Sequence, residues 1–279
     1  MRYCWYHANC FDGFGAAYAA WRALGTSETV FEPVWYERPP PELPAQLDEL
    51  VLLDFTYSRP VLERLRDQVD RLVIIDHHAT AQAELEGFEC DVKIFDLDCS
   101  GAYLSFHHYN PDVPADDVPR LYRYLQDRDL WRFWLPKSRE VNAYIKSFPY
   151  CFSTWSKIEA VMELNLEGCI REGEAVLRLQ ARTVEMICNE ASIRELAGHR
   201  VPTVNSTAFW SEVGHELLER YPGSQMVAAY CDLSNGRRKY SLRSRDGFDC
   251  SAVARQFGGG GHTKAAGFSI EAPSREVER

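Results

Sequence analysis

Three polar clusters in the first third of the sequence end short apolar runs and carry groups that could bind metal ions. Their histidine and aspartate members are His7, Asp12, Asp54, Asp76, His77 and His78. Imidazole and carboxylate groups together form a ligand set suited to manganese, iron or zinc. A carboxylate that bridges two ions would hold them about 3.5–4 Å apart, the usual arrangement for phosphoester cleavage. These residue types therefore predict a centre of two divalent ions.

The elements around the clusters predict how these side chains meet. Apolar runs typical of strands cover 2–7, 30–36, 50–54, 72–76 and 92–95, and helical patterns cover 12–24, 59–69, 101–109 and 118–125. Continuous apolar strands that alternate with helices indicate an α/β fold, in which a parallel sheet has helices on both faces. Ligand sites in such sheets gather at the carboxyl ends of the strands, so we expect the three clusters to share one edge.

The pattern changes in the second half of the chain. Residues 152–193 are rich in Glu, Ala, Leu and Arg and predict one or two connecting helices. A smaller α/β domain is expected after Gly198, with strands at 201–205, 226–231, 239–243 and 266–270 and helices at 210–221 and 250–257. The sequence therefore predicts a catalytic domain over 1–150, a helical connector over 151–197 and a substrate-binding domain over 198–279.

Two further candidates lie near predicted helix ends. Asp127 and Asp129 follow the helix at 118–125, where a metal ligand and a solvated charge run are both open interpretations. Ser100 precedes the helix that starts at Gly101, which predicts an N-cap and leaves a phosphate contact open.

A run of four glycines is the main signal in the second half. Gly258, Gly259, Gly260 and Gly261 precede His262 and Lys264. Without side chains, their backbone N–H groups could approach an anion closely, so we expect phosphate or nucleotide binding rather than a flexible linker. Arg243 and Arg245 could add guanidinium groups, although arginines that end an exposed strand are the alternative.

The composition of the chain argues against some classes of binding partner. The 279 residues carry a formal net charge of -10, which argues against a broad basic surface for long duplex DNA. No apolar run approaches the roughly 20 residues that span a bilayer, and the first residues lack a signal-peptide core. Nine scattered cysteines without a CxxC pair suggest reduced thiols. We therefore expect a cytoplasmic protein without a membrane partner.

The motifs resemble those of the DHH phosphoesterase superfamily. Asp76-His77-His78 is similar to the signature that names the superfamily, and residues 7–17 resemble its first motif. Asp54 fits the second motif, and Asp127 followed by Arg132-Phe133 fits the fourth. Residues 241–244, the glycine run with His262, and residues 265–268 resemble the DHH-associated C-terminal domain. The motifs occur in family order over nearly the whole chain.

The resemblance implies two manganese ions, with magnesium or another divalent ion as the alternative. Asp54 would bridge the ions, with Asp12, His77 and Asp127 completing one site and His7 serving the other. The catalytic residues would be Asp54, Asp76, His77 and His78. His78 would contact the scissile phosphate or assist the leaving group, and Asp76 would orient the histidine pair. The substrate-binding residues would be Ser100, Arg243, Gly258, Gly259, Gly260, Gly261 and His262.

Cys10 is a departure from the superfamily pattern. Many members have two carboxylates spaced two residues apart in the first motif, and Cys10 occupies the position of the earlier one. A thiolate matches a hard ion such as manganese poorly. The resemblance therefore implies a weaker metal site beside His7 or a preference for a softer ion.

Together these features predict a hydrolase that uses a two-metal-activated water on a small phosphodiester. The expected substrate is a short single-stranded oligonucleotide, or a linear or cyclic dinucleotide. A phosphomonoesterase for adenosine bisphosphate, a polyphosphatase, and a nucleotide-binding sensor without turnover remain alternatives. Base preference, cleavage direction and oligomeric state are left open.

Overall fold

The computed structural model describes residues 1–36 and 38–272. The chain divides into two compact units, Met1–Leu177 and Arg178–Arg279. The boundaries at 150 and 197 stay a prediction. None of the described helices is long and apolar enough to cross a membrane.

The first unit contains a parallel sheet of five strands in the order β2-β1-β3-β4-β5. The strands are β1 (Arg2–His7), β2 (Thr29–Val34), β3 (Leu47–Leu53), β4 (Val69–Asp76) and β5 (Val92–Phe95). All five were expected from their apolar runs, and the predicted bounds of the first and last are confirmed.

Helices follow the strands of the first unit. They are α1 (Phe11–Leu24), α2 (Arg59–Arg66), α3 (Ala79–Glu84), α4 (Gly101–Tyr109), α5 (Arg120–Asp129), α6 (Ser138–Lys146) and α7 (Phe152–Leu164). The next helix, α8 (Leu166–Asn189), includes residues of both units. The short helix α3 and the amphipathic helix α6 were not predicted.

Alternating side chains of the central strands form cores on opposite faces of the sheet. Val73 and Ile75 of β4 belong to a buried cluster with residues of α1 and α4. Leu72 and Ile74 belong to a second cluster with residues of α2. Because successive side chains of a strand point to opposite faces, helices must cover both sides of this sheet. The predicted α/β architecture is therefore confirmed.

The register of the strands brings three chain segments to one level at the carboxyl edge. Leu53 of β3 pairs with Tyr6 of β1 and with Ile75 of β4. The residues that follow these partners are His7, Asp54 and Asp76. The three polar clusters therefore share one edge, as the sequence predicts.

The second unit contains a mixed sheet in the order β10-β11-β9-β8-β7-β6. Its strands are β6 (Ser192–Leu196), β7 (His199–Asn205), β8 (Met226–Asp232), β9 (Arg237–Ser244), β10 (Gly260–His262) and β11 (Ala265–Glu271), with helices α9 (Trp210–Arg220) and α10 (Cys250–Arg255). Two of these strands correct the sequence-based expectation. β6 occupies the end of the segment expected to be helical, and β10 includes part of the glycine run.

Candidate metal centre

Asp54 is the central carboxylate at the edge of the parallel sheet. Its Oδ2 atom lies 3.4 Å from Nδ1 of His7, and its Oδ1 atom lies 3.2 Å from Nε2 of His77. The side chain is 1% exposed. Asp54 therefore faces both histidines from a buried position, which is the placement expected for a carboxylate shared by two ions.

Two more carboxylates approach His77. Its Nε2 atom lies 3.8 Å from Oδ2 of Asp12 and 3.5 Å from Oδ2 of Asp129. Asp12 lies in the first turn of α1, and Asp129 ends α5. The ligand atoms of Asp12, His77 and Asp129 all lie within 4.8 Å of one another. Two helices that are far apart in the sequence therefore bring carboxylates to the histidine.

The position of Asp127 corrects a sequence-based assignment. Its Oδ1 atom accepts the N–H of Trp134 at 2.8 Å, and its Oδ2 atom accepts the N–H of Leu135 at 3.2 Å. Both oxygens thus hold the chain that follows α5. The geometry favours Asp129 over Asp127 as the third carboxylate of the centre. Asp127 was selected from the sequence because, followed by Arg132-Phe133, it resembles the fourth motif of the superfamily.

Several buried polar atoms of the cluster lack a hydrogen-bond partner. They are Nδ1 of His7, Oδ2 of Asp12, and Oδ1 and Oδ2 of Asp54. An unsatisfied buried polar atom costs free energy, and buried charges are normally paired or bound to metal. Carboxylate and imidazole atoms in this arrangement fit a manganese-type ion. The donor set of this structure is therefore compatible with divalent cations.

The pKa values of the clustered side chains also favour a bound cation. Burial and the neighbouring charges of Asp129 and Asp54 raise the pKa of Asp12 well above its ordinary value. Burial opposes protonation of His77, but the close contact with Asp54 and the charges of nearby carboxylates raise its pKa to about 10. Three carboxylates in a small volume thus favour a positive charge among them, which a bound cation would supply.

Asp76 organises the two histidines that follow it. Its Oδ1 atom lies 2.6 Å from Nδ1 of His78 and accepts the backbone N–H of His77 at 2.7 Å. Asp76 is fully buried, so these contacts are shielded from water. A carboxylate on one ring nitrogen fixes the orientation of a histidine. Burial acts against it, but the hydrogen bond to Asp76 raises the pKa of His78.

Gly101 is a site residue that sequence reasoning did not select. A methyl group built at this position would lie 2.5 Å from Cβ of Asp54 and 2.9 Å from Oδ2 of Asp12. The next residue, Ala102, donates its N–H to Oδ1 of Asp12 at 3.1 Å. Glycine therefore lets the N-terminus of α4 lie against both carboxylates. A glycine directly after a capping serine was the signal available in the sequence.

Ser100 has the capping role that the sequence predicts. Its hydroxyl oxygen accepts the N–H of Tyr103 at 3.3 Å, so the predicted N-cap is confirmed. The side chain is fully buried, and its backbone N–H donates to Oε1 of Gln126 at 3.1 Å. This burial argues against the phosphate contact that was expected of Ser100.

Cys10 lies on the His7 side of the cluster. Its sulfur and ligand atoms of His7 and Asp54 all lie within 4.8 Å of one another. Burial, together with the charges of Asp54 and Asp129, raises the pKa of the Cys10 thiol well above its ordinary value. A metal ion that binds sulfur must displace this proton, so Cys10 is a weaker ligand than the carboxylates that approach His77.

The glycine run in the second unit is partly used for packing. A methyl group at Gly259 would lie 2.1 Å from the carbonyl oxygen of Gly267, and one at Gly261 would lie 2.6 Å from that of Ala265. The N–H groups of Gly258 and Gly259 donate to carbonyls of α10 at 3.1 and 3.0 Å. At least two of the four N–H groups therefore have partners within the unit, and anion binding by the run stays a prediction.

Arg243 and His262 lie on neighbouring parts of the same sheet. His262 pairs with Ala265 of β11, and Ala265 pairs with Arg243 of β9. The guanidinium of Arg243 donates to Oγ of Ser241 at 3.1 Å and to Oγ of Ser211 at 2.9 Å. Gly260 and His262 are exposed. The sheet thus brings these two predicted substrate residues together, while the centre at Asp54 belongs to the first unit.

Residues 205–278 match the DHHA1 domain family. RecJ from Thermus thermophilus, solved in complex with Mn²⁺, aligns over 97% of this chain and 49% of its own chain, with a TM-score of 0.54 and 16% identity, which shows a shared fold. The chain therefore contains a DHHA1 domain, and it shares the fold of RecJ. The resemblance inferred from the motifs is therefore confirmed.

Two curated relatives extend the comparison of this chain. The uncharacterized protein R106 of Acanthamoeba polyphaga mimivirus is 29% identical over 284 residues, which cover 95% of this chain. The oligoribonuclease NrnB of Bacillus subtilis (strain 168) is 40% identical over 73 residues, or 26% of this chain. The matches span 66% of the first relative and 18% of the second.

Proposed function

We propose that this chain is a metal-dependent phosphodiesterase that hydrolyses short oligonucleotides or dinucleotides to mononucleotides. The observation that carries the proposal is the convergence of one set of ligand groups at the carboxyl edge of the sheet. The set consists of His7, Asp12, Asp54, His77 and Asp129. The oxygen atoms of Asp12 and Asp54 that lack a hydrogen-bond partner support the assignment of this set as a cation site.

Two manganese ions are the proposed cofactors. Asp54 would bridge them, with Asp12, His77 and Asp129 completing the first site and His7 serving the second. RecJ of Thermus thermophilus was solved with Mn²⁺, and a hard ion suits the carboxylates. When bound, such ions supply an activated water and neutralise charge on the phosphate oxygens.

His78 is the proposed acid for the leaving oxygen. Asp76 holds Nδ1 of His78 at 2.6 Å, which directs Nε2 of the ring away from Asp76. Burial lowers the pKa of His78, but the hydrogen bond to Asp76 raises it on balance, which favours the protonated ring that an acid requires. Asp76 thus acts as a positioning residue, and His78 delivers the proton to the departing alcohol.

Short substrates fit the charge of the chain and its relatives. A net charge of -10 offers little long-range attraction for a long polyanion. The Bacillus subtilis relative is an oligoribonuclease by name. We assign capture of the far end of the substrate to His262, Arg243 and the glycine run of the second unit. Nine free cysteines agree with a reducing compartment such as the cytoplasm.

The decisive experiment measures products in the presence and absence of metal. The protein is stripped with a chelator, and labelled dinucleotide is added with or without Mn²⁺. Mononucleotides that appear only with Mn²⁺ support the proposal. Free phosphate released from an adenosine bisphosphate or a polyphosphate, without mononucleotides from the dinucleotide, would establish one of the alternative hydrolases. Tight nucleotide binding without turnover would establish a sensor.

Asp54→Asn provides the matched test of the centre. Asparagine tolerates the positive φ of 53° at this position, so the fold should be retained. Loss of a bridging ligand should lower kcat/KM by more than about 100-fold, the upper end for loss of an outer partner of a metal site. Asp67→Asn, at a side chain that is 74% exposed, is the control and should leave activity unchanged. Full activity of Asp54→Asn contradicts the assignment.

A further inference from the structure

A cluster of aromatic side chains lies on the segment between α5 and α6, which we call the 130–137 loop. It contains Trp131, Phe133 and Trp134. Trp134 is 77% exposed and Trp131 is 38% exposed. A large aromatic ring is stabilised when it is covered, and the ring of Trp134 is left mostly uncovered. The loop has no role in the metal centre itself.

The backbone of the loop adopts conformations that bulky residues rarely take. Trp131 has a φ of 56° and Phe133 a φ of 53°. Such conformations persist only where the surroundings hold them, and they cluster at binding and catalytic sites.

The carboxylate of Asp127 holds this backbone in place. It accepts the N–H groups of Trp134 and Leu135, and the carbonyl oxygen of the same residue accepts the N–H of Arg132 at 2.9 Å. A buried carboxylate that accepts two backbone N–H groups fixes the loop firmly. The presentation of Trp134 is therefore set before any ligand arrives.

Arginine side chains lie beside the aromatic rings of the loop. The guanidinium of Arg132 lies 4.9 Å from the ring centre of Trp134, and that of Arg139 lies 3.9 Å from Phe133. Arg132 also donates to the carbonyl oxygen of Asp98 at 2.9 Å, which fixes its position. Although the chain has a net charge of -10, Arg132 of the loop and Arg139 of α6 place positive charge beside its aromatic rings. That combination is the chemistry that binds single-stranded nucleic acid.

The loop starts directly beside the metal centre. Asp129, whose carboxylate lies 3.5 Å from His77, is followed at once by Leu130. Trp134 lies five positions after Asp129. A fully extended chain over five positions covers at most roughly 17 Å. The ring of Trp134 is thus within reach of a nucleotide whose phosphate lies at the centre.

We propose that the 130–137 loop is a base-stacking platform, on which Trp134 covers the face of a substrate nucleobase. Arg132 supports the ring and places positive charge near the sugar–phosphate backbone. The inference rests on the proposed phosphodiesterase function and specifies how that site selects nucleotides over other phosphodiesters. Because every base has a π-face, the platform tolerates any sequence but requires a base to be present.

Three substitutions at Trp134 separate stacking from general apolar contact. Trp134→Ala removes the ring, Trp134→Leu keeps apolar bulk without a ring, and Trp134→Phe keeps an aromatic face. Stacking predicts that the Ala and Leu variants lose about 5- to 150-fold in kcat/KM for a dinucleotide, while the Phe variant retains most activity. An abasic dinucleotide analogue should be hydrolysed at similar rates by all four proteins. Leu179→Ala, at another side chain that is 70% exposed, is the control and should change neither rate.

A binding measurement tests the platform independently of turnover. Tryptophan fluorescence of the metal-stripped protein is followed during titration with a dinucleotide and with its abasic analogue. The platform predicts quenching by the dinucleotide that is largely lost in Trp134→Phe and is absent with the analogue. Quenching of this kind without any hydrolysis would support the platform and contradict the proposed function.

Three results would overturn the inference. One is fluorescence quenching by the dinucleotide that is equally strong in the unmodified protein and in Trp134→Phe, when both proteins hydrolyse the dinucleotide. Another is an equal loss on the normal and the abasic substrate in Trp134→Ala, since it would place the residue at the reacting centre or in the fold. The third is unchanged kcat/KM in Trp134→Ala.

Discussion

Gly101 lies so close to Asp54 that a methyl group built on the glycine would be 2.5 Å from Cβ of the aspartate. Contacts this short do not occur between real carbon atoms, so glycine is needed for the observed packing. The same methyl group would be 2.7 Å from Oδ1 of Asp54 and 2.9 Å from Oδ2 of Asp12. The first residue of α4 therefore controls how closely the helix can approach the metal centre.

We expect Gly101→Ala to disrupt the centre while the rest of the unit folds. The added methyl group forces Asp54 or α4 to shift, and a displacement of about 1 Å near the chemistry can cost on the order of 100-fold in rate. The measurements are Mn²⁺ affinity by calorimetry and kcat/KM for a dinucleotide. Gly223→Ala is the matched control, because a methyl group at Gly223 meets nothing within 4 Å. Normal Mn²⁺ affinity and activity in Gly101→Ala would contradict the importance of this contact.

Much of the first unit follows from the sequence because its signals are local. The apolar runs ending in Asp54 and Asp76 define buried parallel strands, and their shared edge follows from the rule for open α/β sheets. Gly101 could not be assigned in the same way. Its importance depends on a contact with Asp54, 47 residues away, as the numbering shows. No local pattern of hydrophobicity reports such a close approach.

Asp127 and Asp129 show a second limit of sequence reasoning. They lie two residues apart at the end of α5, and the motif assigns a ligand to this region without identifying which carboxylate faces inward. The choice depends on the path of the 130–137 loop, whose N–H groups occupy the oxygens of Asp127. The path of the loop depends on the positive φ values of Trp131 and Phe133. Bulky residues rarely adopt such values, so these residue types do not predict the path.

These two aspartates should therefore respond differently to substitution by asparagine. Asp127→Asn places an amide where two backbone N–H groups need acceptors, so we expect a loss of roughly 1–3 kcal/mol in the free energy of unfolding. Asp129→Asn should leave stability unchanged or raise it, because it removes one of several crowded carboxylates, and should weaken Mn²⁺ binding. Chemical denaturation and metal titration of both variants provide the test. Stronger loss of metal in a fully stable Asp127→Asn would restore the assignment made from sequence.

Cys10 offers a test of the weaker half of the centre. Its thiol lies with ligand atoms of His7 and Asp54 but stays protonated, because burial and the neighbouring carboxylates raise its pKa. Cys10→Asp should add an oxygen ligand and tighten Mn²⁺ binding on the His7 side, provided that the ion is present to offset the added charge. Cys10→Ser, which adds no charge, should change the affinity much less. The measurement is activity as a function of Mn²⁺ concentration for the three proteins. A higher Mn²⁺ requirement in Cys10→Asp would mean that Cys10 only packs beside the site.

His262 tests the role of the second unit in substrate capture. This exposed residue ends β10, directly after the glycine run, and a charge-assisted hydrogen bond from its ring would be worth about 1.5–3 kcal/mol. We therefore expect His262→Ala to raise KM for a dinucleotide by on the order of 10- to 150-fold.

Arg243→Ala should show the same substrate dependence together with some loss of stability, because its guanidinium holds Ser211 and Ser241. Hydrolysis of bis(p-nitrophenyl) phosphate should change little in either variant, since this small ester needs only the metal centre. His199→Ala, at an exposed histidine of β7 in the same unit, is the matched control and should behave as the unmodified protein. Remote binding energy can also be expressed in kcat, so a fall in kcat on the dinucleotide remains consistent with capture. An equal loss on the dinucleotide and on the small ester would instead place His262 at the reacting phosphate.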